Sequence, residues 1–261
     1  VYPSRIVCLT EETTEILYLL GESARIVGVS GYTVRPPEAR SKPRVSSFLH
    51  ARVDKIEALE PDLILAFSDL QADIVSGLIR QGYPVMTFNQ RSIAGVLQAV
   101  RLVGSLVGVQ AKAEALAHTL QQGLDAVAAQ AATLPRRPRV FFEEWDDPLI
   151  SGIQWVEELV ELAGGESIFP ERRTAGLAKD RIVDPADVVA RDPEVILASW
   201  CGKRVQPARI AARPGWSGIT AVRHGRIHEI TSSLILQPGP AALTDGVSAI
   251  AAFLRAAVAP A

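Results

Sequence analysis

The run FEEWDDP at 142–148 places four carboxylates, Glu143, Glu144, Asp146 and Asp147, around a single indole, Trp145. Carboxylates this dense can hold a cation or share acid/base work. Alternation along a strand would send Glu143 and Glu144 to opposite faces, and an aspartate just ahead of Pro148 suits a turn. Asp146 and Asp147 are therefore expected to be structural, while Glu144 and Trp145 stand open between a ligand cleft and the scaffold. The histidines at 50, 118, 224 and 228 are scattered along the chain. A metal site needs three or four such groups to converge, so no metal ligands are expected. The sequence holds no GxGxxG after a strand, no GxxxxGK[ST], no HExxH, no GxSxG and no CxxC. The catalytic set is thus none, with a cleft enzyme using Glu144 beside Asp146 or His50 as the alternative.

Aromatic side chains supply a second pattern. Tyr32 and Phe48 fall in polar stretches, while Phe67, Trp145 and Trp200 close apolar runs beside Ser68, Asp146 and Gly202. In an α/β sheet ligands bind outside the carboxyl ends of the strands, and flat rings there offer apolar area at little entropic cost. A large, flat, mainly apolar ligand with polar edges would suit them. Trp155 and Trp216 join the same group of strand-end and loop aromatics, whereas Phe141, Phe169 and Phe253 are expected in the core.

Those side chains need elements to hold them. The residues Gln110 to Leu134 carry larger apolar positions at 116, 120, 124, 127, 131 and 134, the period of one helix face. Apolar runs at 5–9, 25–30, 63–67 and 84–88 before that segment, and at 139–145, 195–200 and 224–230 after it, predict strands. Helical patterns alternate with them. The stretches 31–50, 146–152 and 232–243 read as loops rich in Pro, Ser, Asp or Gly. KIEALEPDLILA at 55–66 recurs as DVVARDPEVILA at 187–198, and RIV at 5–7 as RVF at 139–141. A recurring helix, proline turn and apolar strand predict an α/β fold of two Rossmann-like lobes with similar βα organisation. The expected division is an N-terminal lobe at 1–109, a rigid backbone helix at 110–134 and a C-terminal lobe at 135–261, with a ligand cleft between the lobes.

Bulk composition narrows the class. A formal charge of −2, with PRRPR at 135–139 the only tight basic cluster, gives no support for nucleic-acid or anionic-membrane binding. Two cysteines, Cys8 and Cys201, make no disulfide framework, and no apolar run reaches the ~18 residues of a membrane span. VYPSRIV enters a strand at once, so no signal peptide is visible.

RIVCLTEETTEILYLLG, RIVGVSGYTVRPPEA, PDLILAF and AGGESIF, in that order, resemble the helical-backbone substrate-binding proteins of ABC importers for cobalamin and ferric siderophores. GVSGYTVRPPEA and the placement of the aromatics are most similar to the cobalamin-binding branch. The resemblance implies a non-enzymatic, monomeric receptor, with no catalytic cofactor, that holds a corrinoid or another metal chelate and passes it to a membrane permease. By position it implies ligand contacts at Tyr32, Phe48 and Phe67 in the first lobe. In the second it implies Trp145 and the SSLILQPGP loop with Leu234 and Gln237. Ser68, Glu144 and Trp200 complete the candidate set. A ferric-siderophore or haem receptor of the same fold is the alternative ligand class. The family's docking glutamates are not matched, since the first region offers Asp69 or Asp73 and the second has Lys203, Arg204 and Arg209 instead. The resemblance implies a periplasmic or cell-surface location, with a cytoplasmic corrinoid-binding relative as the alternative.

Overall fold

The computed structural model of the protein describes residues 2–259. Its contacts form two compact units, one from the chain up to Gln90 with Ala94–Leu120, the other from Arg91–Ile93 with everything after Leu120.

In the first unit β1 (Ile6–Cys8), β2 (Ile26–Ser30), β3 (Arg44–Ser47), β4 (His50–Ala51), β5 (Leu63–Phe67) and β6 (Val85–Phe88) form a sheet in the order β4-β3-β2-β1-β5-β6. Every neighbouring pair is parallel except β3 with β4. Parallel strands need crossovers, supplied by α1 (Glu11–Leu19), α2 (Val53–Glu57) and α3 (Ala72–Arg80), with α4 (Ile93–Leu106) following β6. β1 and β5 are buried along their whole length, which is why they read as unbroken apolar runs. Their ends lie on one edge of the sheet, where α1 begins, where Phe67 closes β5 and where Tyr32, Phe48 and Ser68 follow their strands.

The 110–134 pattern is an α-helix, α5 (Gln110–Ala131). Its buried positions are Ala113, Ala117, Leu120 and Leu124, so the inward stripe starts one turn earlier than the large residues suggest, on alanines. The cause lies in α4. A Cβ on Gly104 would stand 2.2 Å from that of Ala113, so only small residues permit this close approach.

The second unit is built around β7 (Arg139–Asp146), β8 (Leu149–Ser151), β9 (Glu166–Ser167), β10 (Val195–Ala198) and β11 (Ile227–Glu229), in the order β11-β10-β7-β8, with β9 also on β7. α6 (Gln154–Leu162), α7 (Pro185–Arg191), α8 (Pro207–Ala211), α9 (Thr220–Arg223), α10 (Ser232–Ile235) and α11 (Val247–Val258) complete it, and a π-helical turn at Ala242–Gly246 leads into α11. Phe141, Phe169, Val188, Ile196, Trp200, Trp216 and Ile219 lie in its core. Phe253 is only partly buried and stacks on His228 at 4.2 Å.

The internal repeat is structural. Ile6 pairs with Leu63 in one sheet and Val140 with Val195 in the other. Asp62 accepts the Ser4 and Arg5 amides at 2.7 and 2.8 Å, and Glu194 accepts the Arg139 amide at 3.0 Å. The Arg5 guanidinium closes on the Leu59 and Glu60 carbonyls, that of Arg139 on the Asp192 carbonyl. Glu60 and Asp192 even share a left-handed backbone, with φ of 44° and 43°.

Three loop expectations are corrected. The stretch 31–50 contains β3 and the first residue of β4. Its serines disguised them, because the Ser46 hydroxyl is satisfied inside the sheet by the Leu9 carbonyl. The stretch 146–152 contains β8, three residues paired antiparallel to β7 and masked by the Pro148 and Gly152 that flank them. The 232–243 segment opens with α10, a single helical turn.

Candidate functional site

At the strand-end edge of the first unit, Tyr32 stands 52% exposed, its amide donating to the Ser30 hydroxyl at 3.2 Å. Phe48 is half-buried. Gln71, fully buried at the start of α3, holds two of the expected residues together. Its Oε1 accepts the Phe67 amide at 2.9 Å, and its Nε2 donates to the Phe48 carbonyl at 2.9 Å. Phe67 and Ser68 are themselves buried. Ser68 has φ of 64°, and its Oγ accepts the Leu70 amide at 3.1 Å, which caps the turn into α3. Ser68 also borders an open, mainly apolar hollow of about 590 Å³ with Val75, Ile79, Thr87 and Asn89. None of the expected aromatics lines that hollow. His50 is exposed on β4.

The second unit gathers its strand-end residues through charge. The Lys203 ammonium sits 4.0 Å from the Trp145 ring centroid and 4.9 Å from that of Trp200. It also pairs with Asp146 at 2.5 Å, and Arg209 approaches the other oxygen of that carboxylate at 3.3 Å. Burial works against ionised Asp146, yet the Lys203 hydrogen bond and charge hold it below the ordinary aspartate range. Trp145 is partly exposed, and its indole N–H donates to the Asp147 carbonyl at 2.9 Å. Trp200 is only 2% exposed, and its N–H donates to Glu143 at 3.1 Å.

The two glutamates of FEEWDDP diverge, as alternation requires. Glu143 is fully buried and takes two hydrogen bonds from Arg213, whose guanidinium lies 4.6 Å over Trp216. Burial raises the Glu143 pKa despite that pairing. Glu144 turns to the buried Arg181, which grips both its oxygens at 2.6 and 2.8 Å and also reaches the Ser151 carbonyl. Glu144 is thus the anchor of an arginine, a poor posture for a general base. Behind them Glu157 is buried and pushed up to about 7 by desolvation. Leu234 and Gln237 are half-buried on α10 and just after it.

Three partners escaped sequence reading. Lys203 and Arg181 are too distant in sequence from Asp146 and Glu144, the carboxylates they serve, and no motif links them. Gln71 is a lone amide in a helix start. The acidic start of α1, EETTE at 11–15, gave no sign of its burial, yet in the structure Glu11 and Glu12 are buried. Among the described residues no group of three or more His, Cys, Asp or Glu side chains could hold a metal ion, and no helix is long and apolar enough to cross a membrane.

Comparison with known proteins places the fold. The chain is 27% identical to the uncharacterised ABC transporter substrate-binding lipoprotein YvrC of Bacillus subtilis, over 95% of this chain and 79% of that protein. It is 27% identical to a cobalamin-binding protein of Halobacterium salinarum, over 91% of this chain and 66% of that longer protein. A periplasmic heme-binding protein from Roseiflexus sp. RS-1 shares the fold at a TM-score of 0.82 and 24% identity, covering 96% and 99% of the two chains. The family model for periplasmic binding proteins matches residues 6–234, and the chain belongs to that family.

Proposed function

We propose that this chain is the solute-binding protein of an ABC-type importer and that its ligand is a corrinoid, taken on the strand-end edges of both units without chemical change. The observation that carries the reading is the set of rings at those edges. Tyr32 and Phe48 lie at one and Trp145 at the other, backed by buried Phe67 and Trp200. Exposed or half-exposed rings at strand ends suit a broad, flat ligand. Sequence likeness to a cobalamin-binding protein supports the corrinoid; the likeness to a heme-binding protein is one of fold and chooses no ligand.

In this proposal Tyr32, Phe48 and Trp145 touch the ligand through their rings, Leu234 adds apolar area, and Gln237 and Ser68 offer hydrogen bonds. Glu144 positions its neighbours through Arg181. The same reading takes residues 1–109 and 135–261 as the two ligand-bearing lobes and places the protein outside the cytoplasm, delivering to a permease. The permease would meet a mixed surface. Asp69 and Asp73 are exposed on the first unit, and Lys203, Arg204 and Arg209 on the second. Its docking charges would have to mirror that asymmetry.

Absorbance titration with cyanocobalamin, dicyanocobinamide, haemin and a ferric siderophore tests the proposal. Saturable one-to-one binding of the corrinoids, tighter than of the other two, is expected. Failure of every corrinoid to bind removes it.

A further inference from the structure

The start of α1 carries Glu11, Glu12 and Glu15, exposed by only 9%, 1% and 8%. Thr10 occupies the N-cap position without a side-chain cap bond; its hydroxyl bonds instead to Glu12 Oε1 at 2.5 Å. Glu12 Oε2 is buried with no hydrogen-bond partner. A second buried oxygen in the same condition, Thr33 Oγ1, follows β2 at the same sheet edge. A buried polar atom left without a partner is costly, and native structures tolerate few. Two at the edge where the ligand-facing rings lie point to a partner that the protein itself does not contain.

The charges around Glu12 set the form it takes. On its own helix stand Glu11 and Glu15, both disfavouring a further negative charge. From β1 beneath comes the Cys8 thiol, held by Thr13 and Thr14 and pushed up to about 11 by burial. From the chain after β2 comes Arg35, which pairs with Glu15 at 3.2 Å. At the far end of the helix Lys112 pairs with Glu22. Among the described residues no cation pairs with Glu11 or Glu12. An ionised carboxylate there would be an uncompensated buried charge, and burial pushes Glu11 up to about 7 and Glu12 up to about 8. At neutral pH Glu12 keeps its proton. With Oε1 taking the Thr10 hydroxyl, that proton rests on the unpartnered Oε2.

We propose that Glu12 is a carboxylic-acid hydrogen-bond donor to an uncharged oxygen acceptor of the ligand, an amide carbonyl, at the strand-end edge of the first unit. This rests on the corrinoid reading, since a corrin ring carries peripheral amide side chains. Thr33 supplies a second hydroxyl for the same rim. Anionic ligand groups are disfavoured here by Glu11 as it ionises, since Arg35 is already engaged by Glu15. The acidic start of α1 therefore selects amide-decorated rims over carboxylate-decorated ones.

The test is the affinity of the full chain for cyanocobalamin from pH 6 to 9.5, in the wild type, Glu12→Gln and Glu12→Ala. Calorimetry at pH 8 in two buffers of different ionisation heat accompanies it. Wild-type affinity should fall as pH rises through about 8, and binding at pH 8 should take up protons. Glu12→Gln, which keeps a donor but cannot ionise, should give a flat profile, with Glu12→Ala lying below it by about tenfold. Circular dichroism of both variants confirms that they fold. A flat wild-type profile with Glu12→Ala equal to Glu12→Gln removes the donor role and leaves the receptor reading standing. Affinity that rises with pH and releases protons overturns it in favour of a cationic ligand group. No cyanocobalamin binding at any pH removes the corrinoid reading and this role together.

Discussion

The two units use one scaffold and two chemistries. At the base of each sheet the same device recurs, an arginine on the carbonyls of a left-handed turn and a carboxylate on the amides of the first strand. At the other end of the strands the likeness stops. The first unit buries carboxyls at the start of α1, with no cation among the described residues beside Glu11 or Glu12. The second pairs its carboxylates at the end of β7 with Lys203, Arg209, Arg213 and Arg181. Strand bases answer to folding in both units. Strand ends answer to whatever they bind, and there the duplicated pattern has been rewritten.

The largest effect should come from breaking the most buried pair of the second unit. Arg213→Ala leaves Glu143, fully buried, with only the Trp200 indole as a donor. Stranding a buried charge costs about 3 to 5 kcal/mol. Denaturant unfolding of Arg213→Ala should show that loss, and Glu143→Gln in the same background should recover part of it. A loss below about 1 kcal/mol would mean that water already reaches Glu143.

The next contrast is in pH. Glu11 and Glu12 in the first unit and Glu157 in the second have folded pKa values of about 7, 8 and 7, above the ordinary 4.5. From pH 4.5 upward the unfolded chain releases protons that the folded chain still holds. The stability these groups confer is complete below pH 4.5 and is lost as pH rises through 7 and 8, by up to ~1.4 kcal/mol per pH unit for each. Calorimetric melting from pH 5 to 8.5 should show a falling Tm, and Glu12→Gln and Glu157→Gln should each flatten it. Asp146, held below the ordinary range by Lys203, should contribute no such decline, whereas Glu143, raised by burial despite Arg213, should add to it. A Tm that is level over this range removes the claim that these three groups are neutral when folded.

Ligand affinity ranks third. Trp145→Ala should weaken corrinoid binding by ~1 to 3 kcal/mol, the range for a lost aromatic anchor, while the fold survives. Tyr32→Ala should do the same from the other unit. Equal losses would mean that both edges grip the ligand; a loss confined to one variant would assign the grip to that unit. Unchanged titrations for both would take the rings out of the site.

Sequence alone revealed what is periodic or repeated. The alternation of apolar strand and helix, the long helix near 110 and the proline turns of the repeat were legible because each follows from local spacing. β3 and β8 were not, since their identity depends on partners far along the chain and their own residues, Ser46, Ser47 and the three between Pro148 and Gly152, look like loop. The site divides the same way. That Tyr32 and Trp145 stand at strand ends could be read off; that Trp200 would be sealed at 2% exposure and Phe67 at 4% could not, because burial is decided by what packs above a ring. The acids of β7 were visible from the start, but their cations, Arg181, Lys203 and Arg213, arrive from three separate connections.

The fourth contrast tests the shared base. Asp62→Ala removes an acceptor for the Ser4 amide and hydroxyl and the Arg5 amide, and Glu194→Ala removes one for the Arg139 amide and Arg136. If the devices are equivalent, each should cost about 1 to 2 kcal/mol in denaturant unfolding, with neither altering ligand affinity. A large effect in one and none in the other would show that the likeness is geometric only.

The smallest effect separates two versions of one motif inside the second unit. Arg213 lies over Trp216 and on Glu143, and Lys203 lies over Trp145 and on Asp146, each a cation joining an indole to a carboxylate. They differ in burial, since the Lys203 side chain is 40% exposed and that of Arg213 16%. Water can replace what Lys203 gives, and Arg209 remains beside Asp146 at 3.3 Å. Lys203→Met, which keeps the stem and removes the charge, should therefore cost only about 0.5 to 1 kcal/mol. It should also shift the indole fluorescence, because Trp145 loses its cation. A loss as large as that of Arg213→Ala would mean that Lys203 is a buried structural ion like its counterpart, and that the exposed face of Trp145 depends on it.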